Sequence, residues 1–411
     1  NCNMMKKRIY KTVIPILVIA VAGIAGYAVY YYTSDSFMTL TGDSRTTVGL
    51  NGIYEDPGVT AYSHGKDVSE EVEVEGKVDT RTPGDYTVIY KSGNFTVKRE
   101  VEVLDEMDPT IELKGDKNIK IKLGEAFKDP GFTATDSQGN DISADVKVKG
   151  VDIKRAGSRK IAYTVTDSAG KTTRVYRDIQ VEPNTEYRTS GLPICMYHYV
   201  YDENNIPDDV NGNYISQKDL AEELTWLKDQ DYYFPTWKEV RDYVDGKLLL
   251  PEKSIVLTFD DGAVSFLKNG IPLLEEYKTP ATSFVITSKN GREKVGKYRS
   301  KYVTYESHSD NLHRGGGNIG HGGIFTVISH DDGLADLKKS IEIVGSKDAF
   351  AYPFGDTNDR CRQVVEDAGF LCAVTTVPGR AKPGDDPLLL PRQRMSRNQS
   401  METFRAMVLP Y

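Results

Sequence analysis

The sequence has little cysteine, little histidine and no excess of positive charge, and each shortage excludes a class of protein. Its 411 residues include four Cys, too few for a scaffold held together by disulfides. The formal net charge is −8, which argues against a general nucleic-acid binder, because such a protein needs a basic face. With 39% hydrophobic and 27% charged residues, the chain is ordinary globular material of two or three domains.

The first 34 residues predict a basic cytoplasmic tail and a membrane anchor. Basic residues between Lys6 and Lys11 precede an uncharged stretch at 13–32, and a helix of that length spans about 30 Å, the thickness of the hydrocarbon layer. The basic flank keeps that end in the cytoplasm, which puts the remainder outside the cell. A cleaved signal peptide is the alternative, and both interpretations export the rest of the chain.

An internal repeat follows, with an offset of 73 residues. The segment 54–58 (YEDPG) matches 127–131 (FKDPG), and Tyr90 matches Tyr163. Both copies alternate apolar and polar residues, which predicts half-buried strands separated by turns.

The two copies, at 35–106 and 107–183, are therefore predicted to be small β-sandwiches. They resemble bacterial immunoglobulin-like surface modules, in which the Asp-Pro-Gly motif recurs. The resemblance implies a spacer or a stalk whose modules contact the cell wall.

From residue 191, after a predicted linker at 184–190, apolar strand-like segments alternate with helical ones. This alternation indicates an α/β fold with a mainly parallel sheet, in which active residues lie at the carboxyl ends of strands. The predicted strands are 193–199, 254–259, 281–286, 349–352 and 371–376, and the predicted helices are 217–229, 237–245, 263–277, 334–344 and 360–368.

Two polar clusters in this last domain carry chemistry. Asp260 and Asp261 follow a buried strand, so that one carboxylate can bind a cation while the other remains free as a base. His308 and His313 lie five residues apart and, with Asp261, supply three ligands. Catalytic metal sites typically have three protein ligands and leave one position for water.

These motifs resemble those of the polysaccharide deacetylases of carbohydrate esterase family four, the NodB-homology group, over residues 192–408. The resemblance implies a deformed (β/α) barrel and metal-dependent removal of N- or O-acetyl groups from a glycan. The five-residue spacing of the histidines resembles the poly-N-acetylglucosamine deacetylase branch; alternatively, the extra residue degrades the metal site.

The resemblance also implies roles for individual residues. Asp260 would be the general base, and Asp261, His308 and His313 would hold a divalent ion, expected to be Zn²⁺ with Co²⁺ or Ni²⁺ as alternatives. The backbone N–H of Phe354 would face the oxyanion.

Two family residues are missing from their usual places. Ala351 stands where many members have an Arg that orients the base, and we expect Arg392 to substitute for it; otherwise Arg392 is a surface residue. The C-terminal Leu-x-His motif that supplies the catalytic acid is absent, and His198 fits that role. The alternative for His198 is a packed histidine at a strand end.

The glycine-rich run 315–323 lacks the Lys-Ser/Thr pair of a phosphate-binding loop, so no nucleotide is expected to bind. We interpret this run as a mobile surface loop near the site and give His321 no role. Cys361 and Cys372 are candidates for a disulfide outside the cell, a question that the sequence leaves open.

The function predicted from these features is N-deacetylation of peptidoglycan or poly-N-acetylglucosamine by a membrane-anchored extracellular enzyme, in which metal-activated water attacks the acetyl carbonyl. Two alternatives remain: a catalytically weak surface protein that binds glycan, and an acetyl-xylan esterase that removes O-acetyl groups.

Overall fold

The computed structural model describes residues 36–411 except 64, 105, 106 and 169. Among these residues no helix has the length and apolar character needed to cross a bilayer. The predicted anchor at 13–32 lies outside the described residues and remains a prediction. The chain divides into two compact units: one holds the chain up to residue 117 with 129–150 and 161–177, and the other holds 118–128, 151–160 and 178–411.

The first repeat forms two facing antiparallel-rich sheets, as the alternating pattern predicts. One sheet has the order β1-β3-β4 and the other β2-β7-β6-β5, and the buried side chains between strands include Ala61, Val88 and Tyr90. The strands are β1 (Phe37–Leu40), β2 (Arg45–Gly49), β3 (Val59–Ser63), β4 (Lys66–Asp67), β5 (Glu73–Glu75), β6 (Gly84–Ser92) and β7 (Phe95–Leu104).

The second repeat has the same design with fewer strands. Its sheets have the orders β10-β8 and β11-β12-β13-β9, and β13 runs parallel to β9. The strands are β8 (Thr110–Leu113), β9 (Asn118–Lys122), β10 (Phe132–Thr135), β11 (Lys147–Lys149), β12 (Gly157–Thr166) and β13 (Thr172–Glu182).

A buried arginine explains why the Asp-Pro-Gly motif and the tyrosine recur. In the second repeat the fully buried Arg177 donates to the carbonyl oxygens of Lys114 and Gly131, each at 2.9 Å. It also donates to the Tyr163 hydroxyl at 3.1 Å, and that hydroxyl donates to Asp129 at 2.6 Å. The ionic group therefore satisfies turn carbonyls that packing removes from water.

The first repeat has an equivalent arrangement. Arg99, 1% exposed, donates to the carbonyl oxygens of Thr41 at 2.7 Å and Gly58 at 3.0 Å, while Tyr90 donates to Asp56. Sequence comparison at the constant offset of 73 misses this arginine, because five more residues lie between tyrosine and arginine in the second copy.

The C-terminal half is a closed barrel of seven parallel strands in the order β14-β17-β18-β19-β20-β21-β22, with β22 pairing back to β14. This confirms the predicted barrel. Two further strands, β15 and β16, pair in parallel outside it. The strands are β14 (Ile194–Tyr197), β15 (Tyr199–Tyr201), β16 (Tyr214–Ser216), β17 (Val256–Phe259), β18 (Ala281–Val285), β19 (Val303–Ser307), β20 (Ala349–Ala351), β21 (Cys372–Pro378) and β22 (Leu390–Arg394).

Helices cover the outside of the barrel and begin where side chains can cap them. Helix α1 starts after Ser216, whose hydroxyl accepts from the Asp219 N–H, and it buries Leu220, Leu224 and Leu227 on one face. The helices are α1 (Gln217–Asp229), α2 (Trp237–Val244), α3 (Val264–Asn269), α4 (Ile271–Tyr277), α5 (Gly291–Lys297), α6 (His330–Val344), α7 (Asp359–Ala368) and α8 (Met401–Val408).

The single helix predicted at 263–277 is wrong, since the structure has two helices there. The chain breaks at Gly270, where a Cβ atom would lie 2.5 Å from the Phe266 ring, and Pro272 follows in the first turn of α4. Proline has no N–H to continue the preceding helix. The sequence pattern also missed strands β19 and β22, which complete the barrel.

The possible pairing of Cys361 with Cys372 is not realised. Both thiols are free and buried, as is Cys195. The Cys361 Sγ faces the Phe325 carbonyl at 3.3 Å, whereas the Cys372 Sγ faces the Trp237 carbonyl at 3.6 Å. The two thiols therefore pack against different parts of the domain.

Within the second unit, segments of the second repeat contact the start of the barrel domain. The Leu249 N–H donates to the Lys154 carbonyl at 2.8 Å, and Arg155 pairs with Asp242 at 2.7 Å. Asn184, in the predicted linker, donates its side-chain amide to a carbonyl oxygen of the segment 118–128 at 2.9 Å. These bonds belong to one compact unit.

Candidate active site

The residues predicted to carry chemistry lie at the carboxyl end of the barrel. Most of them follow a parallel strand or lie near its end, and closure of the barrel brings these strand ends together at one cavity. Asp260 and Asp261 follow β17, His308 follows β19, His198 follows β14, Phe354 comes shortly after β20, and Arg392 lies within β22.

Asp261, His308 and His313 form the one group of three metal-type ligands found in the described part of the chain. One ligand atom from each lies within 4.8 Å of the others. The Nε2 atoms of both histidines are 3.6 Å from Asp261 Oδ1. That oxygen is buried and has no hydrogen-bond partner among the described residues. A buried carboxylate oxygen facing two imidazole nitrogens fits a divalent ion.

Hydrogen bonds on the far side of these ligands fix their orientation. His308 Nδ1 lies 2.7 Å from the Ala351 carbonyl oxygen. Because a carbonyl only accepts, Nδ1 has the proton and Nε2 presents its lone pair to the site. The Tyr199 hydroxyl donates to Asp261 Oδ2 at 2.7 Å, which leaves Oδ1 for a ligand. Such supporting contacts tune metal sites.

His313 is the more exposed imidazole of the pair, and its surroundings keep it neutral. Its ring packs 4.2 Å from the Phe354 ring and 4.7 Å from the His308 ring, measured between centroids. Burial, with a smaller contribution from the charge of His308, lowers the His313 pKa to about 4. A metal ligand must be deprotonated, so this environment suits coordination.

The loop that holds the two histidines is fixed from helix α6. Asp336 accepts the backbone N–H groups of Asp310 at 2.7 Å and Asn311 at 2.8 Å, and Lys339 pairs with the Asp310 carboxylate at 2.6 Å. The spacing of five residues therefore spans a loop with its own partners, and it brings both rings to the same carboxylate.

Three residues at the cavity have a left-handed backbone conformation. Asp261, Ser309 and Phe354 have φ values of 71°, 69° and 60°, in the left-handed region that residues other than glycine rarely adopt. Three such residues beside three strand ends are typical of a functional site.

Asp260 is held by Arg392, as expected from the sequence. The guanidinium donates to both carboxylate oxygens at 2.8 Å, and both side chains are almost completely buried. Burial opposes ionisation of Asp260, but the charge and hydrogen bonds of Arg392 hold the carboxyl pKa well below its usual range. The Asp260 carboxyl group is therefore ionised at neutral pH. Arg392 is anchored by the Thr375 carbonyl at 2.8 Å and is not a surface residue.

His198 is half-buried and lines the same cavity as Asp260 and Asp261. Its Nδ1 is buried with no hydrogen-bond partner among the described residues. Burial lowers its pKa, while the charges of the two aspartates oppose that shift and favour the imidazolium form.

The two aspartates, His198, His308, His313 and Phe354 line a cavity of about 210 Å³, whereas Arg392 lies buried behind Asp260. Sequence reasoning missed Tyr199 and the pair formed by Arg394 and Asn213, 2.7 Å apart, which also line it. It gave no role to His321, which lines the cavity as well. The signal for Tyr199 was its place next to His198, but its bond to Asp261 crosses 62 residues of sequence.

Known protein families match both parts of the chain. The family model for a bacterial surface protein, Ig-like domain, matches residues 38–103 and 111–181, and the model for polysaccharide deacetylase matches residues 248–373. A poly-beta-1,6-N-acetyl-D-glucosamine N-deacetylase of Staphylococcus aureus is 29% identical over 235 residues, which are 50% of this chain and 79% of that protein.

Two solved structures are also similar. The Streptococcus pyogenes deacetylase PplD in complex with acetate has 24% identity and a TM-score of 0.47, covering 56% of this chain and 100% of that one. IcaB from Ammonifex degensii has 24% identity and a TM-score of 0.44, covering 53% and 97%. The chain therefore contains a polysaccharide deacetylase domain of carbohydrate esterase family four, preceded by bacterial surface immunoglobulin-like domains, and the homologues of that domain indicate a hydrolytic de-N-acetylase.

Proposed function

We propose that this protein removes N-acetyl groups from an N-acetylglucosamine polymer of the bacterial surface, either peptidoglycan or poly-N-acetylglucosamine. The observation that carries the proposal is the cluster of Asp261, His308 and His313 beside the arginine-held carboxylate of Asp260. Hydrolysis of an amide needs a polarised carbonyl, an activated water and a proton for the leaving amine, and this arrangement supplies a group for each.

Asp261, His308 and His313 would hold one divalent ion, with Zn²⁺ expected from their mixed nitrogen and oxygen ligands. Such an ion polarises the acetyl carbonyl and lowers the pKa of a water molecule to about 7. The unpartnered Asp261 Oδ1 and the two Nε2 atoms that face it support this assignment.

The remaining residues move protons and stabilise charge. Asp260, kept ionised by Arg392, accepts the proton that the attacking water loses. The backbone N–H of Phe354 stabilises the oxyanion. His198 in its charged form then gives a proton to the departing sugar amine, and acetate leaves. The net reaction is water plus an N-acetyl group, giving acetate and an amine.

The choice of glycan rests on the relative named for poly-beta-1,6-N-acetyl-D-glucosamine and on the five-residue histidine spacing. The test is acetate release by the purified full chain, loaded in turn with Zn²⁺, Co²⁺ and Ni²⁺. Substrates are β-1,6- and β-1,4-linked N-acetylglucosamine oligomers, peptidoglycan and acetyl-xylan.

Asp260→Asn is the control, because it keeps the shape of the base and removes its charge. We expect release from an N-acetylglucosamine polymer that exceeds this control by at least a hundredfold, in the range that a general base contributes. Release from acetyl-xylan alone would replace the substrate class. Equal release by both proteins on every glycan would overturn the enzymatic proposal and favour a glycan-binding role.

We also propose that the catalytic domain lies outside the cell, attached to the membrane through residues 13–32, with immunoglobulin-like modules that contact the wall. The basic flank of that segment and the match to surface modules support this location. Fractionation of cells and protease treatment of intact cells test it. Recovery of the chain in membranes and its digestion from outside are expected; a shortened chain in the medium would indicate cleavage.

A further inference from the structure

The glycine-rich run 315–323 is a folded loop at the rim of the active-site cavity. Its own backbone closes it: the N–H groups of Gly316 and Gly317 both donate to the Gly322 carbonyl, at 3.0 Å and 2.8 Å. Gly315 and Gly323 also form an isolated antiparallel bridge. The sequence predicted a mobile surface loop here. These bonds show a loop with regular backbone pairing of its own.

Asp356 fastens this loop to the turn that bears Phe354. The carboxylate is buried, and its two oxygens accept the backbone N–H groups of His321 and Gly323, each at 2.9 Å. Gly320 packs so closely on it that a Cβ atom would lie 2.0 Å from Asp356 Oδ1. The glycines therefore allow the backbone to approach a carboxylate, which explains the run without a phosphate ligand.

His321 is the one titratable side chain of this loop. Its imidazole is 71% exposed and lines the same cavity as the ligand set. Nδ1 lies 3.4 Å from Asp356 Oδ1, so Nε2 is the ring nitrogen left for a ligand. Nothing in the hydrolytic scheme above uses this residue.

The size of the cavity limits which part of a glycan can contact His321. At about 210 Å³ the cavity is smaller than pockets that enclose a whole small molecule, about 300–1,000 Å³. Under the proposed function it would hold only the reacting sugar with its acetamide, so the neighbouring sugars of a polymer would lie on the rim.

We propose that His321 is a substrate-binding residue, whose imidazole hydrogen-bonds a sugar next to the one being deacetylated, and that Asp356 is its positioning residue. The substrate class rests on the proposed function above. A polymer is thereby preferred over a single sugar through contacts made outside the reacting centre.

The decisive measurement is binding without turnover. In the full-length Asp260→Asn protein with Zn²⁺, calorimetry gives the Kd for a β-1,6-linked N-acetylglucosamine pentamer and for N-acetylglucosamine. Adding His321→Ala should raise the pentamer Kd by roughly 3–10-fold, the value of one hydrogen bond, and leave the monomer Kd unchanged. His321→Gln, which keeps a donor, should recover part of the loss. Unchanged pentamer binding would overturn the inference.

Kinetics separate this inference from the proposed function. If the wild type releases acetate, His321→Ala should raise KM for the pentamer and leave kcat within about twofold. A fall in kcat at constant KM would contradict a binding role. If the wild type releases none, the proposed function fails, while the binding comparison still decides the role of His321.

Two glycine-to-alanine variants of the same loop test whether Asp356 positions His321. Gly320→Ala places a methyl group against Asp356 and should raise the pentamer Kd as His321→Ala does. Gly315→Ala meets nothing within 4 Å and should bind like its parent. Equal binding by the two variants would contradict positioning through Asp356.

Discussion

The two oxygens of Asp261 have different partners, and this difference prepares a ligand. Oδ2 accepts from the Tyr199 hydroxyl, while Oδ1 faces His308 and His313. Because Oδ2 already has a hydrogen-bond partner, Asp261 would offer its Oδ1 atom to a metal ion. Tyr199 would thus act on a bound metal ion through Asp261 without touching it.

Removing that hydroxyl should weaken metal binding. Tyr199→Phe is expected to raise the Kd for Zn²⁺ by about 10–100-fold, the usual effect of losing a hydrogen bond to a ligand. Competition with a chelating dye measures it. Tyr214→Phe is the matched control, because Tyr214 packs 4.8 Å from the Tyr199 ring but its hydroxyl bonds to Asp209 at 3.1 Å. Equal loss in both variants would mean that ring packing, and not the hydroxyl, matters.

At this scale, sequence reasoning located residues that belong to short motifs and missed residues that act across the fold. Asp260 and Asp261 follow a predicted strand, and His308 and His313 stand out by residue type and spacing. Arg392 was chosen to replace the family arginine that is missing at Ala351, although 132 residues separate it from Asp260. Tyr199 and Asp356 lie beside motif residues in sequence, but only the closed barrel reveals their partners.

Among the elements, helix α1 buries a carboxyl group against the barrel. Glu223 is 4% exposed, and the Tyr197 hydroxyl donates to it at 2.6 Å. Burial raises the Glu223 pKa to about 8, partly offset by that hydrogen bond. The folded protein therefore keeps a proton on Glu223 at neutral pH, whereas the unfolded chain releases it near the ordinary glutamate pKa of 4.5.

This proton makes stability depend on pH in a defined direction. Between about pH 4.5 and pH 8 the folded state binds more protons than the unfolded state, so the free energy of unfolding falls as pH rises and levels off above pH 8. Glu223→Gln should flatten this slope, whereas the exposed neighbour Glu222→Gln should keep it. Urea unfolding at pH 5, 6.5 and 8 measures it through Trp226 and Trp237, the two tryptophans of the sequence. Parallel slopes in all three proteins would contradict the assignment.

The β modules depend on their buried arginines in a comparable way. Arg177→Met removes the guanidinium hydrogen bonds to the carbonyls of Lys114 and Gly131 and leaves the Asp129 carboxylate without its cation. We expect it to destabilise the second repeat by about 3–5 kcal/mol. Hydrogen exchange of the amides in β12 reports this directly. Arg174 lies at an exposed position of β13, the strand that also holds Arg177. Arg174→Met should change the free energy of opening measured by exchange by no more than about 0.5 kcal/mol. Comparable exchange in both would show that the buried cluster contributes little.

Strand and helix prediction succeeded where periodicity is strong and failed at short elements. The apolar face of α1 follows the sequence pattern, whereas α6 begins at His330, four residues before the predicted start at 334. Strand β19 was missed because polar Thr304 and Glu306 interrupt its five residues, and the break at Gly270 was missed because apolar residues continue on both sides.

At the scale of the whole molecule, the second compact unit does not begin where the barrel begins. Segments 118–128 and 151–160 belong to it and bond to the region after α2 and to Asn184. A chain that starts at residue 184 should therefore have a lower thermal midpoint than one that starts at 107, as followed by tryptophan fluorescence. Identical midpoints would show that these contacts contribute nothing to the stability of the barrel.

The three buried thiols of the barrel also have a practical consequence. Burial raises the pKa of the Cys372 thiol to about 12, and Cys195 and Cys361 are likewise buried. Only molecules that open their core can be alkylated at these positions. With Cys2 replaced by Ser, the rate at which an alkylating reagent adds mass to the protein measures how often the catalytic domain opens. This rate can be followed in a crude extract or on intact cells, without purification.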